Sequence, residues 1–223
     1  MKKNISSGLV AGAFFFLAGC ATESSRSVEV PQVASVNSVY TGVRQPVSIG
    51  QFDNRSTYMR GIFSGGTDTL GSQAKTLLET DLQQTNHFDV LDRDNLAQLT
   101  QENGFSHTKA QIHGARYVIT GDVTEFGRKE VGDQELFGLL GRGKAQVAYA
   151  KVNLNIVDTA TSSVVYSTQG AGEYQLSNRE VVGFGGFSTY DSTLNGKVLD
   201  LAIREAVNHL VKAIDGGAWT PSR

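Results

Sequence analysis

Cys20 is the only cysteine in the 223-residue chain, and it directly follows Leu17-Ala18-Gly19 at the end of an apolar run. With no second thiol, a disulfide within the chain is excluded. Leu-Ala-Gly-Cys resembles a bacterial lipobox, in which the thiol is acylated and the cysteine becomes the new N-terminus. Upstream, Met1-Lys2-Lys3-Asn4 is positively charged and Gly8 to Ala18 is apolar, with Phe14-Phe15-Phe16 inside it. A charged start, an apolar stretch of this length and small residues at its end describe a signal peptide. The run is too short to span a bilayer, which takes ~20 apolar residues. Residues 1–19 are expected to be removed and Cys20 to carry lipid, each buried methylene adding ~0.8 kcal/mol of membrane affinity. Ala21 and Thr22 follow, with no aspartate directly after the cysteine. In lipoproteins of this kind that implies sorting to the outer membrane, the folded part lying in the periplasm.

The remaining candidates for chemistry are weaker. Gly138-Leu-Leu-Gly-Arg-Gly143-Lys144 comes close to a phosphate-binding loop. Ala145 stands where a magnesium-holding serine or threonine is needed, and a strand rather than a helix is expected to follow. His87, His107, His113 and His209 show no metal-ligand spacing, and surface or capping positions are expected for them. Asp92 and Asp94 invite a cation, but Asp92 is better read as a helix N-cap. No nucleophile-elbow pattern occurs. The chain is therefore expected to be no enzyme, with no metal and no cofactor.

Composition narrows the partners. Removing residues 1–19 takes away Lys2 and Lys3, leaving 18 basic against 22 acidic side chains, a net charge of −4. An acidic balance without a basic stripe gives no case for nucleic acid. Residues 20–45 are polar without a clear period and read as the lipid anchor and its tether.

From 46 to 223 the pattern predicts one domain. Pro46 to Phe52 alternates as a strand. Asp68 or Thr69 caps a helix with Leu70, Ala74, Leu77, Leu78 and Leu82 along one face. Phe88 to Leu91 is a short strand, and Asp92 opens a helix carrying Leu96 and Leu99. Ala110 to Gly114 reads as a helical turn and Ala115 to Phe126 as a strand. Val147 to Val157 alternates, with Ala148, Ala150, Val152, Leu154 and Ile156 on one face. A turn at Asp158 to Ser163 returns the chain into Val164 to Thr168 as an antiparallel hairpin. Thr193 to Ile214 is a helix with a buried stripe of Leu199, Ala202, Ile203, Ala206, Leu210 and Ala213, and Trp219 folds back onto the core. The fold class is α+β, helices packed on a mostly antiparallel sheet.

Two glycine-rich insertions, 127–146 and 172–193, fall outside this scheme, and loops of such length are usually functional or disordered. Each holds isolated large apolar residues, among them Phe137 and Leu139 in the first and Val182 and Phe184 in the second. A membrane β-strand takes ~9–11 residues, so either insertion accommodates two spanning strands and a turn. One copy would leave open edges, which lipid forbids. A barrel made from these segments therefore requires a ring of subunits. Flexible periplasmic loops are the other reading of the same residues.

Taken in order, Ser48-Ile-Gly-Gln-Phe-Asp-Asn54, Phe88-Asp-Val-Leu-Asp-Arg93 with Leu96, Gly114-Ala-Arg-Tyr-Val-Ile-Thr-Gly121, Val152-Asn-Leu-Asn-Ile-Val-Asp158 and the ending from Asn208 to Trp219 resemble the curli production assembly/transport lipoproteins (CsgG and HfaB). The resemblance implies an outer-membrane ring in which each subunit gives two hairpins to a shared barrel. Such a ring exports unfolded polypeptide without hydrolysing nucleotide. It also implies that the loop from Arg55 to Gly66 lines a constriction, which makes Tyr58 and Phe63 candidates. Arg60 and Gly65-Gly66 depart from the curli pattern, and Tyr58 packed on the domain surface stays open beside Tyr58 in a channel. The other function compatible with the residues is a non-channel periplasmic lipoprotein, an envelope scaffold or a partner of cell-wall machinery.

Overall fold

A computed structural model describes residues 30–58, 68–107, 109–134, 142–179 and 193–221. The chain divides into units 1–31 and 32–223. The elements of the second unit run β1 (Gln45–Asn54), α1 (Thr69–Gln84), β2 (Phe88–Leu91), α2 (Leu96–Phe105), β3 (Tyr117–Gln134), β4 (Arg142–Asp158), β5 (Val164–Arg179) and α3 (Thr193–Asp215). The fold is α+β, as the pattern predicts, on a five-stranded sheet of order β2-β1-β3-β4-β5. β1 lies parallel to β2 and β3, whereas the long β3–β4 and β4–β5 pairings are antiparallel. The sheet is thus mixed, its antiparallel half carrying most of the ladder.

α1 packs over β1, β2 and β3 and α3 over β4 and β5, with the two helices in contact. The α1 stripe of Leu70, Ala74, Leu78 and Leu82 is buried. So is the α3 stripe of Leu199, Ala202, Ile203, Ala206, Leu210 and Ala213. Side chains such as Leu78 and Ile203, fully removed from water, each stabilise the fold by roughly 1.5–3 kcal/mol. β4 alternates as read, with Ala148, Ala150, Val152, Leu154 and Ile156 inward and Tyr149 outward. Trp219 closes the core, stacked on Tyr166 (centroids 5.9 Å apart) and edge-on to Tyr117 at 5.4 Å.

Three expectations are corrected. Residues 110–114 form no helical turn. Ile112 is largely exposed there, so no buried apolar side chain holds one. The cap of α2 is Asn95, while Asp92 precedes it and accepts from the backbone N–H groups of Asp94 and Asn95 at 3.0 Å each. α2 itself buries no residue.

The region read as tether also reaches into the fold. Val33 is 1% exposed, Ala34 N–H donates to Asn208 Oδ1 (3.0 Å), and Tyr40 stacks on His87. The folded unit therefore begins at Gln32 rather than at residue 46. Sparse apolar residues in a polar stretch hid this packing, because no period marks a strap that follows neither a helix nor a strand.

Candidate functional site

β3 and β4 do not stop where the core does. Residues 127–134 continue to pair with 142–149, and 172–179 pair with the far side of the same stretch of β4. The result is a three-stranded arm built on the sheet. β1 ends at Asn54, opposite Val123, so among the described residues no strand pairs with the outer edge of β3 along the arm. Within the first insertion, residues 127–134 and 142–146 are thus continuous with their flanking strands. The second begins as strand up to Arg179 and closes at Thr193 in α3.

At the base of the arm β3 carries a bulge. The register shifts between Val123 and Glu125, and an extra residue in one strand reverses which side chains face inward. Before it Tyr117, Ile119 and Val123 are buried; after it the helix-facing series passes to Phe126 and Arg128. Gly127 then lies on the opposite face, where a Cβ would meet the Tyr149 hydroxyl at 2.5 Å. The missing side chain lets the Tyr149 ring lie across the strand.

The bulge brings three distant segments together. Arg128 Nε donates to Asn195 Oδ1 (2.8 Å), and Asn195 Nδ2 donates to the Tyr58 hydroxyl oxygen (2.9 Å). The half-buried Tyr58 ring rests on Phe126, centroids 4.8 Å apart. Its carbonyl accepts from Asn54 Nδ2 at 2.9 Å. The connection after β1 leaves the sheet under further constraint. Arg55 and Ser56 both donate backbone N–H groups to the Val123 carbonyl, and Arg55 pairs with Asp122. Asp68 ties the two ends of the connection together. One carboxylate oxygen accepts from Asn54 N–H (2.6 Å), the other from Gly71 N–H (2.7 Å) as the cap of α1.

Of the residues singled out from the sequence, Tyr58 lies within this cluster. Cys20, Phe63, Phe137, Leu139, Val182 and Phe184 lie outside the described residues. Asn195 and Arg128 gave no sequence signal, because a single amide in a helix's first turn has no pattern. The phosphate-loop resemblance ends in strand: Arg142 to Ala145 belong to β4, and no helix follows.

Among the described residues there is no group of three or more side chains that could hold a metal ion. Nor, among them, is any helix long and apolar enough to cross a membrane. One histidine is a buried cap rather than a surface one. His87 is 3% exposed, with Nδ1 2.7 Å from the Thr85 carbonyl and Nε2 3.0 Å from Asp215 Oδ1. It joins the ends of α1 and α3 under the Tyr40 ring.

The family model of the curli production assembly/transport component CsgG matches residues 28–221. A candidate lipoprotein of Neisseria meningitidis serogroup B is 66% identical over 222 residues, covering 99% of this chain and 100% of that one. Among solved structures, the PelC dodecamer from Paraburkholderia phytofirmans is 15% identical at a TM-score of 0.37, covering 83% of this chain and 96% of that one. A Helicobacter pylori homologue of the neuraminyllactose-binding hemagglutinin is 14% identical at a TM-score of 0.44, covering 85% and 92%.

Proposed function

Because the chain belongs to the CsgG family of curli production assembly/transport components, we propose that it is an outer-membrane lipoprotein whose arms join those of other copies in an oligomeric channel. The channel passes unfolded polypeptide, and Cys20 holds each subunit to the membrane through lipid. The observation that carries this reading is the arm itself. Residues 127–134 and 142–149 form a paired hairpin limb with 172–179 alongside. Each of these strands has eight paired residues, approaching the ~9–11 that a tilted strand of an outer-membrane barrel takes. An arm with unpaired edges is not tolerated in lipid, so insertion and ring closure are one event. The loop from Arg55 to Gly66 would then line the constriction with Phe63 as its candidate, and Phe137, Leu139, Val182 and Phe184 would take the lipid-facing positions. No nucleotide, metal or cofactor enters the scheme. The polypeptide moves through a passage, and the chain acts as a conduit rather than a catalyst.

A second reading has its own observation. Arg128 and Lys129 are successive residues of the arm and so fall on opposite faces, whereas a strand in lipid presents one apolar face. With charge on both faces, the limb is suited to a periplasmic scaffold that contacts envelope or cell-wall proteins.

Replacing residues 130–145 by a short Gly-Ser link separates the two. In planar bilayers the lipidated wild type is expected to conduct and the replacement to lose the conductance altogether. The thermal midpoint should stay within about 3 °C, because the core residues that α1 and α3 cover are left unchanged. Conductance that survives the replacement, or a wild type that conducts nothing, favours the scaffold.

A further inference from the structure

We infer that Tyr58 and Asn195 form a positioning joint between the β1–α1 connection and the base of the arm, with Tyr58 an anchor rather than a channel-facing side chain. Its effect on transport rests on the channel reading above; its existence does not. Asn195 uses both ends of its amide, the oxygen toward Arg128 Nε and the nitrogen toward the Tyr58 hydroxyl. Arginine has donors and no acceptor, so the amide oxygen must face Arg128 and the NH2 group must face Tyr58. The orientation is therefore settled by chemistry, not by choice of fit.

Tyr58 is held by its ring, its hydroxyl and its backbone. Its ring lies on Phe126, its hydroxyl accepts from Asn195, and its carbonyl accepts from Asn54. A side chain that lines an aqueous lumen leaves its ring or its hydroxyl to water, and here both are engaged by the fold. Phe126 and Arg128 sit just beyond the bulge at the start of the arm, and Asn195 lies in the first turn of α3. Any tilt of the arm against the core is thus transmitted through Asn195 to the point where the β1–α1 connection leaves Tyr58.

The test uses the full-length lipidated protein. Tyr58→Phe keeps the ring on Phe126 and removes the hydroxyl; Asn195→Ala removes both hydrogen bonds. Asn195→Asp keeps an acceptor for Arg128 and can accept a hydrogen bond donated by the Tyr58 hydroxyl, so it rescues. Thermal midpoints in detergent should show coupling, the double variant Tyr58→Phe/Asn195→Ala melting within about 1–2 °C of Asn195→Ala alone.

In bilayers, Tyr58→Phe and Asn195→Ala should raise open-channel current noise by the same factor, several-fold, and Asn195→Asp should restore the wild-type trace. Additive midpoints overturn the joint. So does a several-fold rise in conductance on Tyr58→Ala while Asn195→Ala conducts like wild type, because Tyr58 then faces the lumen. A wild type without conductance counts against the channel reading alone, and the midpoint cycle still decides the joint.

Discussion

Gly170→Val is expected to destabilise the domain by about 4 kcal/mol or more, a fall of ~10 °C or more in the thermal midpoint. Gly170 and Gly172 are two apart on β5 and so face the same side, where α3 crosses. A Cβ on Gly170 would run into the Ala202 carbonyl oxygen and the Ala206 backbone nitrogen, with the Ala206 Cα at 3.0 Å. On Gly172 it would lie 2.8 Å from both Leu201 Cβ and the Val198 carbonyl oxygen. The obstacles at Gly170 are helix backbone, which no rotamer change relieves. A branched side chain must therefore lift α3 from the sheet and open the core it covers.

Ala202 and Ala206 meet the glycines from the helix, and on β4 Ala150 lies opposite Gly172 and Val152 opposite Gly170. Small residues on both surfaces are what set this close approach. Gly104→Ala is the control. A Cβ there meets nothing within 4 Å, and alanine in helix α2 should stabilise by about 0.5–1 kcal/mol. Urea denaturation of the three proteins checks both signs, and a Gly170→Val midpoint equal to wild type would show that α3 does not sit where described.

Asp81→Asn is expected to act in the opposite direction and only above acidic pH. Asp81 is 4% exposed, and its Oδ2 has no hydrogen-bond partner among the described residues. Arg204, the nearby cation, donates through Nη2 to Asp200 Oδ2 at 2.9 Å. Burial first, and the Asp200 charge second, push the Asp81 carboxyl up from 3.8 to about 7, with Arg204 opposing.

Below the unfolded value both states hold the proton and nothing is lost. Between 3.8 and about 7 the native state keeps a proton that the unfolded chain releases, so wild-type stability declines as pH rises. Above about 7 the native carboxylate is charged and the penalty is complete. Asparagine cannot ionise and should be more stable than wild type at pH ~8 by on the order of 2–4 kcal/mol, the difference shrinking toward pH ~4. Denaturant midpoints of both proteins across that range decide it. Parallel curves would mean that Asp81 ionises in the fold without cost.

Where a buried face repeats at a fixed period, the sequence was readable. The leucines of α1, the stripe of α3 and the alternation of β4 are one-sided over many residues, and each proved to be the buried side. The arm was legible as candidate strands from segment length alone, beside a loop reading, and not from alternation. Gly127-Arg-Lys-Glu-Val-Gly-Asp-Gln134 has no alternation, and its extended state comes from pairing with β4. Pairing of that kind is a tertiary effect that local pattern does not carry. The same limit hid Gly170 and Gly172, whose meaning depends on which helix crosses them. It also hid Asn195, whose partners lie 67 and 137 residues away. Residues 32–44 were read as tether because their few apolar side chains pack singly, Val33 and Tyr40 each against a different surface.

Electron microscopy of the detergent-extracted, lipidated, full-length protein tests the central claim most directly. The account predicts closed rings with a central channel, the arms gathered at one rim, and loss of the rings when residues 130–145 are replaced. Monomers or irregular small oligomers at all protein concentrations would contradict it, and leave a CsgG-family domain held at the membrane for work in the periplasm.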